Sequence, residues 1–111
     1  MTLIARQHFL ICAHETVEEI GYEKHSDKTS EFADLFIFFK TKESMEQCDI
    51  YKLIPDGFGT LNYWAPRFHM RITFSNQKAK PHESLDKALK IAESHFGLVL
   101  TSAKSSENRE S

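Results

Sequence analysis

Residues 14 to 18 begin like a zinc-protease motif. In HExxH, two histidines one helical turn apart hold the metal while the glutamate acts as a base. His14 and Glu15 match the first half, but Glu18 occupies the position that the second histidine needs. A two-residue match arises often by chance, so we interpret it as coincidental.

A second set of possible metal ligands lies just before this motif. His8 and Cys12 are one helical turn apart, and Glu15 and Glu19 continue nearly the same stripe of a helix. Imidazole and thiolate are ligands that transition metals favour. The alternative is a solvated helix face with one small, half-buried thiol. No third histidine or cysteine is tied to the stripe, so we predict no metal and no cofactor.

Other catalytic patterns do not occur in the sequence. Nucleophilic catalysis needs a serine or cysteine beside a histidine and an orienting carboxylate, and no GxSxG signature marks such a nucleophile. Gly57 and Gly59 lack the lysine and Ser/Thr of a phosphate loop, so a turn explains them better. We therefore predict no catalytic residue and expect that the chain is not an enzyme.

The segment from 62 to 71 has the composition of a binding surface. Tyrosine, tryptophan and arginine concentrate binding energy because they combine a large rigid area with polar tips. We predict that a partner binds through Tyr63, Trp64, Arg67, His69 and Arg71. The alternative is that Trp64 packs in the core or the hairpin, while Arg67 and Arg71 only solvate the sheet.

Composition and charge are those of an ordinary small domain. The chain has 111 residues, of which 41% are hydrophobic and 27% charged, and this predicts one folded unit. A formal net charge of -2 gives no overall field that attracts nucleic acid or an anionic membrane. The apolar start is broken at Arg6 before a signal peptide can form. Two distant cysteines, Cys12 and Cys48, predict reduced thiols and a cytoplasmic location.

Apolar periodicity predicts a helix near each end of the chain. Residues 3 to 20 gather apolar side chains on one side when wound at about 100° per residue, with Thr2 as N-cap and Gly21 as the stop. The second helix begins at Pro81 and ends at Gly97. Residues 22 to 31 are polar without periodicity, which indicates a loop.

Strands are predicted between the helices. Residues 68 to 74 alternate, with Phe, Met and Ile facing the core, and form the most secure strand. The aromatic run 35 to 39 indicates a central strand, covered on both faces or partly protected at an interface. Residues 40 to 47 suggest a polar connection. A turn at 55 to 57 predicts a hairpin between strands 48 to 54 and 60 to 64.

These elements predict an α+β fold, an antiparallel sheet of three to four strands packed against an N-terminal and a C-terminal helix. Residues 1–100 form the single domain, and residues 101–111 form a disordered polar tail because they have little apolar surface to bury. Both helices lie on one face of the sheet, which leaves the other face partly open.

The leading functional expectation is a non-catalytic protein-binding module, such as an inhibitor, immunity protein or mobile-element accessory protein. Such a protein occludes a partner's working surface without turnover. Anti-CRISPR and toxin-immunity proteins are examples, although no residue pattern identifies either. Acidic residues suit a basic partner, including a nucleic-acid-binding protein. They are Asp27, Glu31, Asp34, Glu43, Glu46 and Asp49.

Two other functions remain open at this point. The first is direct RNA or DNA binding by stacking on the open sheet, through Tyr51, Tyr63, Trp64 and His69. The element order resembles double-stranded RNA-binding domains, in which lysines at the start of the last helix touch phosphates. Lys78 and Lys80 would take that role, but Glu83 and Asp86 dilute their charge. The second is a small metal-dependent hydrolase that uses some of His8, Cys12, His14 and His69.

Overall fold

The protein folds around one antiparallel sheet, seen in a computed structural model that describes residues 2–62, 67–75, 80–100 and 104–105. The spatial strand order is β4-β5-β3-β2-β1-β6. The strands are β1 (Thr2–Leu10), β2 (Val17–Ser26), β3 (Glu31–Phe39), β4 (Phe58–Asn62), β5 (Phe68–Ser75) and the two-residue β6 (Lys104–Ser105). The helices are α1 (Lys42–Gln47) and α2 (Pro81–Phe96), with a 3-10 helix at Ile50–Leu53.

The predicted N-terminal helix is wrong, because this part of the chain forms the antiparallel strands β1 and β2. Phe9 pairs with Ile20 across the two strands, so apolar residues that share a helical stripe in sequence meet here by strand pairing. The backbone N–H of Ile11 donates to the carbonyl of Glu18 at 3.0 Å and closes the connection. β2 also continues to Ser26, through the first half of the predicted loop, since its polar residues there have cross-strand partners.

The predicted strands are confirmed at 35 to 39 and at 68 to 74. β3 and β5 lie side by side, with Ile37 and Met70 fully buried, and β5 alternates as expected. β3 is central, but it is not covered on both faces, because Phe36 and Phe38 are partly exposed. β4 covers most of the predicted strand at 60 to 64, whose last two residues lie outside the described part of the chain. The described residues form a sheet of six strands instead of three to four, because β1, β2 and β6 were not predicted as strands.

The segment between β3 and β4 is helical and contains no strand. Where a polar connection was predicted, α1 forms, and the Thr41 side chain accepts from the backbone N–H of Ser44 to cap it. The predicted strand at 48 to 54 is wrong, because Ile50 is buried on a 3-10 helix. Gly57 donates its N–H to the carbonyl of Ile54, so the predicted turn exists, but it leads from the 3-10 helix into β4.

The C-terminal helix is confirmed, with Pro81 in its first turn and Gly97 at its end. Gly97 has φ 67°, the left-handed conformation that favours glycine. Leu85, Ala88 and Ala92 are fully buried. α2 packs on β3 and β5, and α1 packs on the same two strands. No helix in the described part of the chain covers the opposite face of the sheet, which agrees with the partly open face expected from the sequence.

The end of the chain is described only at β6, which pairs with Phe9 and Leu10 of β1. The predicted disordered tail otherwise lies outside the described residues and stays a prediction. Among the described helices, none is both long and apolar enough to traverse a lipid bilayer.

Candidate functional site

The open face, as the term is used below, is the side of the sheet opposite α2. Successive side chains of a strand point to opposite faces, so neighbours of the core residues Ile37 and Met70 project onto it. Contacts between side chains of different strands show which residues share this face. Its central members are Arg6, His8, Glu19, Glu23, His25, Asp34, Phe36, Phe38, Arg67, His69, Arg71 and Thr73.

Four rings form the centre of the open face, and we call them the ring cluster. Phe36 and Phe38 of β3 lie 6.5 Å apart between centroids. His69 of β5 lies 4.9 Å from Phe38 and 6.2 Å from Phe36. His8 of β1 lies 6.5 Å and 6.3 Å from the same two rings. All four side chains are partly exposed, so the cluster is an aromatic surface that a partner can contact.

His8 reaches the cluster across β2 because β2 has a glycine at that point. His8 pairs with Gly21, which has no side chain between β1 and β3. The imidazole Nδ1 lies 2.6 Å from Glu19 Oε2, so a carboxylate fixes the ring in place. The absent side chain at Gly21 and the hydrogen bond to Glu19 together orient His8 towards the phenylalanines.

Arg67 lies over the ring cluster and is held by two carboxylates. Its guanidinium carbon is 3.9 Å from the Phe38 centroid, within cation–π range. Arg67 donates to Glu19 at 2.8 Å and to Glu18 at 3.4 Å. Burial acts to raise the pKa of Glu19, but hydrogen bonds from His8 and Arg67 outweigh it, so this pKa lies below its ordinary value of 4.5. Glu19 is therefore an anion shared between two cationic or polar partners.

Arg71 forms a two-point ion pair with a buried carboxylate. Its Nε and Nη2 atoms donate to the two oxygens of Asp34, each at 3.0 Å, and Thr73 donates a further bond at 2.7 Å. Asp34 is 1% exposed. The hydrogen bonds to Asp34 raise the pKa of Arg71 above its ordinary value. Asp34 thus fixes the guanidinium, whose carbon lies 5.8 Å from the Phe36 ring.

Burial and charge also act on His69. Burial lowers the pKa of His69 below its ordinary value of 6.5, and the charges of Arg67 and Arg71 lower it further. His69 is consequently neutral at pH 7. The centre of the face therefore presents uncharged rings edged by two guanidinium groups.

Glu23, His25 and Asp34 have ligand atoms within 4.8 Å of one another, close enough to hold a metal ion. However, Arg6 donates to Glu23 at 3.1 Å, and Arg71 neutralises Asp34. The two carboxylates already have two guanidinium partners, so binding a cation would require displacing them. We therefore do not assign a metal to this cluster.

The other metal candidates are not assembled as the sequence suggested. His14 accepts from the backbone N–H groups of Thr16 and Val17 with Nδ1, so Nε2 carries the proton and donates to the carbonyl of Phe96. Nδ1 thus holds the start of β2, and Nε2 binds the last carbonyl of α2. Cys12 is exposed, and no helix places it one turn from His8.

A cleft of about 320 Å³ next to His14 combines residues of catalytic type. Cys48 and His95 are among those that line it. Burial raises the pKa of the Cys48 thiol, so it is protonated at neutral pH and a weak nucleophile. The described residues in this cleft therefore do not form an activated nucleophile.

Three of the five predicted site residues come together on the open face: Arg67, His69 and Arg71. Tyr63 and Trp64 lie outside the described residues. The sequence patterns did not indicate Phe36 and Phe38 as binding residues, and they indicated His8 and Glu19 only as possible metal ligands on a helix. The two phenylalanines had a signal, since alternate positions of the run from 35 to 39 must point away from the core. No strand pattern in the sequence pointed to His8 and Glu19, because both residues fell within the predicted N-terminal helix.

The acidic residues expected to face a basic partner do not form one surface. Asp34 is buried beneath Arg71, and Asp27 accepts from the backbone of Thr29 and Ser30 in the turn before β3. Glu43 lies on α1, beyond the other end of β3. Tyr51, proposed as a stacking residue, lies on the 3-10 helix and not on the open face.

The guanidinium groups described on the open face are all paired with carboxylates of the same face. Three guanidinium groups pair with four carboxylates, namely Arg6, Arg67 and Arg71 with Glu18, Glu19, Glu23 and Asp34. The described residues of this face therefore leave no excess of positive charge to attract phosphates.

Comparison with known proteins adds no relative to this description. No protein-family model, no curated protein and no solved structure matches the chain. Its function has to be inferred from its own residues.

Proposed function

We propose that this protein is a non-catalytic module that binds another protein through the open face. The observation that carries the proposal is the ring cluster with Arg67 held 3.9 Å over Phe38. Aromatic rings and arginines dominate the energetic centres of protein interfaces. Here they are partly exposed and fixed by ion pairs before any partner arrives, so little side-chain ordering is needed on binding.

A protein partner fits the charge of this face better than a nucleic acid does. Binding of a phosphate backbone derives its affinity from unpaired lysines and arginines that displace counterions. Arg67 and Arg71 are instead paired with Glu19 and Asp34. A nucleic acid would have to compete with these carboxylates, whereas an uncharged, partly apolar protein surface would not.

The mode of action that we propose is occlusion. A module of this kind inhibits or neutralises its partner by covering the working surface, as an inhibitor, an immunity protein or a mobile-element accessory protein does. The partly buried, protonated Cys48 and the fully engaged His14 support a role without turnover. The two free thiols suit the reducing cytoplasm as the site of action.

The experiment compares partner capture by matched surface variants. The face variant combines Arg67→Ala with His69→Ala, which removes two partly exposed groups and leaves the buried Asp34 paired with Arg71. The control variant combines Lys87→Ala with Lys90→Ala on the exposed side of α2. Circular dichroism checks that both remain folded. We expect wild type and control to recover the same protein from native-source lysate, and the face variant to recover at least about tenfold less of it.

Two outcomes contradict the proposal. Equal recovery by the face variant and the control shows that the open face is not the binding site. The second arm is a gel shift with single-stranded RNA and DNA at low and high salt. Binding that weakens steeply with salt and is lost in the face variant assigns the face to nucleic acid.

A further inference from the structure

In the part of the chain that the structure describes, β4 ends the sheet on one side and no strand pairs with its outer backbone edge. Among the described residues its only strand neighbour is β5, with which it pairs in a regular register without a bulge. Its sequence, Phe-Gly-Thr-Leu-Asn, contains no charge and no proline. Natural proteins use charges, prolines and bulges to prevent strand addition at sheet edges. Because β4 has none of these features, its edge is suited to receive another strand.

The opposite side of the sheet is protected in the usual ways. β1 carries Arg6, and its register with β2 shifts between Leu3 and Ala5. Where β1 ends, Phe9 and Leu10 are already paired with β6. Strand addition is therefore favoured at β4 and not at β1.

An apolar groove lies beside the β4 edge, on the helix side of the sheet. It has a volume of about 240 Å³ and is lined by Tyr51, Gly59, Leu61 and Met70. Two of the side chains that line the groove are exposed, Tyr51 at 44% and Leu61 at 37%. Exposed apolar groups gathered at one place mark an interaction surface. The groove and the free edge together fit an extended strand that carries an apolar side chain.

We propose that this strand is β4 of a second copy of the chain, paired antiparallel about a two-fold axis at Thr60. In this register Gly59 lies opposite Leu61 of the second copy, on the side of the groove. Gly59 is exposed and has no side chain, and a β-carbon there would lie 3.2 Å from the Tyr51 β-carbon, so the leucine would lie against Tyr51 in the groove. The two threonines pair across the axis, an arrangement that antiparallel sheets favour.

The fit is self-complementary, as a two-fold interface requires. The pairing of Leu61 with Gly59 occurs twice, once on each side of the axis. The strand has no charge, so pairing with itself brings no like charges together. Other extended strands can pair with the backbone edge of β4. The placement of Leu61 opposite Gly59 on each side of the axis favours a second copy of the chain.

The resulting dimer has one continuous sheet, with both open faces on the same side. Opposed residues of an antiparallel pair point to the same face, so the two ring clusters become parts of one surface. The contact is short, because β4 has five residues. Stable interfaces bury about 1,200 to 2,000 Å², so we expect a reversible dimer whose population rises with concentration.

Site-specific cross-linking tests the register. In a Cys12→Ser background, Thr60→Cys places two thiols opposite each other with Cα atoms about 4.5 to 5.5 Å apart, within disulfide range. Phe58→Cys is the matched control, since its two copies are offset by about 13 Å along the strands. With oxidised glutathione as oxidant, we expect the Thr60→Cys protein to form a covalent dimer at least about tenfold faster. Equal rates overturn the proposed pairing.

Sedimentation over a range of concentrations tests the dimer itself. Thr60→Lys places two positive charges opposite each other at the axis, and Thr60 is exposed, so the monomer should still fold. Thr2→Lys makes the same change at the exposed start of β1. We expect wild type and Thr2→Lys to form dimers and Thr60→Lys to stay monomeric. A wild-type protein that is monomeric throughout contradicts the proposal.

The dimer and the open-face function are independent. The Arg67→Ala and His69→Ala variant should dimerise like wild type, because neither residue lies on β4. Loss of dimerisation alone therefore identifies a failure at the β4 edge, and loss of partner capture alone identifies a failure at the open face.

Discussion

The His8 imidazole occupies the space that any side chain at Gly21 would fill. A β-carbon on Gly21 would lie 2.4 Å from His8 Nδ1, the atom that contacts Glu19. Gly21 has an ordinary extended backbone, so a larger residue there is excluded by the histidine and not by backbone strain. The glycine is therefore part of the candidate site, although it makes no polar contact with it.

Gly21→Ala should push the His8 ring away from Glu19 and cost about 1–3 kcal/mol of unfolding free energy, as overpacking does. Urea denaturation measures the change. Because the clash is with one side chain, adding His8→Ala should remove part of the cost, which makes the two substitutions non-additive. Additive effects would show that the glycine is needed for a different reason.

Arg71→Ala should destabilise the protein by about 2–3 kcal/mol, because it leaves the buried Asp34 carboxylate without its cation. Arg6→Ala is the matched control, since the Arg6 pair with Glu23 is more exposed. This control should change the unfolding free energy by less than about 0.5 kcal/mol. Similar losses in the two variants would contradict the distinct role given to Asp34.

His69 should make stability decrease as the pH falls below 6.5. Burial lowers the pKa of His69, and the charges of Arg67 and Arg71 lower it further. The unfolded chain therefore binds a proton at a higher pH than the folded protein, so acid favours unfolding. Melting temperatures at several pH values measure the effect. His69→Gln should flatten the profile just below pH 6.5, and an unchanged slope would count against this assignment.

Glu19 should produce a second loss of stability in more acidic solution. Although burial acts to raise its pKa, the hydrogen bonds from His8 and Arg67 bring this pKa below 4.5. The stability that ionised Glu19 contributes is complete above pH 4.5, and it is lost as the pH falls through the lowered pKa of the folded protein. Glu19→Gln should reduce the slope of stability against pH below 4.5 and leave the His69 region in place. An unchanged slope below pH 4.5 in the Glu19→Gln variant would contradict the lowered pKa assigned to Glu19.

The two cysteines should differ in reactivity in the folded protein. Cys12 is exposed, whereas Cys48 is partly buried and its pKa is raised by burial and by the nearby Asp49. Alkylation requires the thiolate, so iodoacetamide should modify Cys12 first. Peptide mass spectrometry after short exposure locates the label, with urea-unfolded protein as the control. Labelling of Cys48 at the same rate as Cys12 would be incompatible with this environment.

Local sequence patterns were enough to predict β5 and α2, two elements that bury one face and expose the other. β5 alternates between core residues such as Met70 and outward residues such as Arg71, and this alternation is visible in sequence. Pro81 and Gly97 mark α2 because proline suits the first turn of a helix and glycine its left-handed end. The same logic predicted that Arg67, His69 and Arg71 share a surface.

Only the tertiary structure decided the first third of the chain and the composition of the open face. Phe9 and Ile20 fit a helical stripe, but they belong to two strands, and strand preference depends on which neighbours cover each side. β2 looks like a loop in sequence because its outward residues are polar. Glu23 is stabilised there by Arg6, a partner 17 positions away. Pairing between distant strands, which no local pattern encodes, brings His8 to Phe36 and so creates the candidate site.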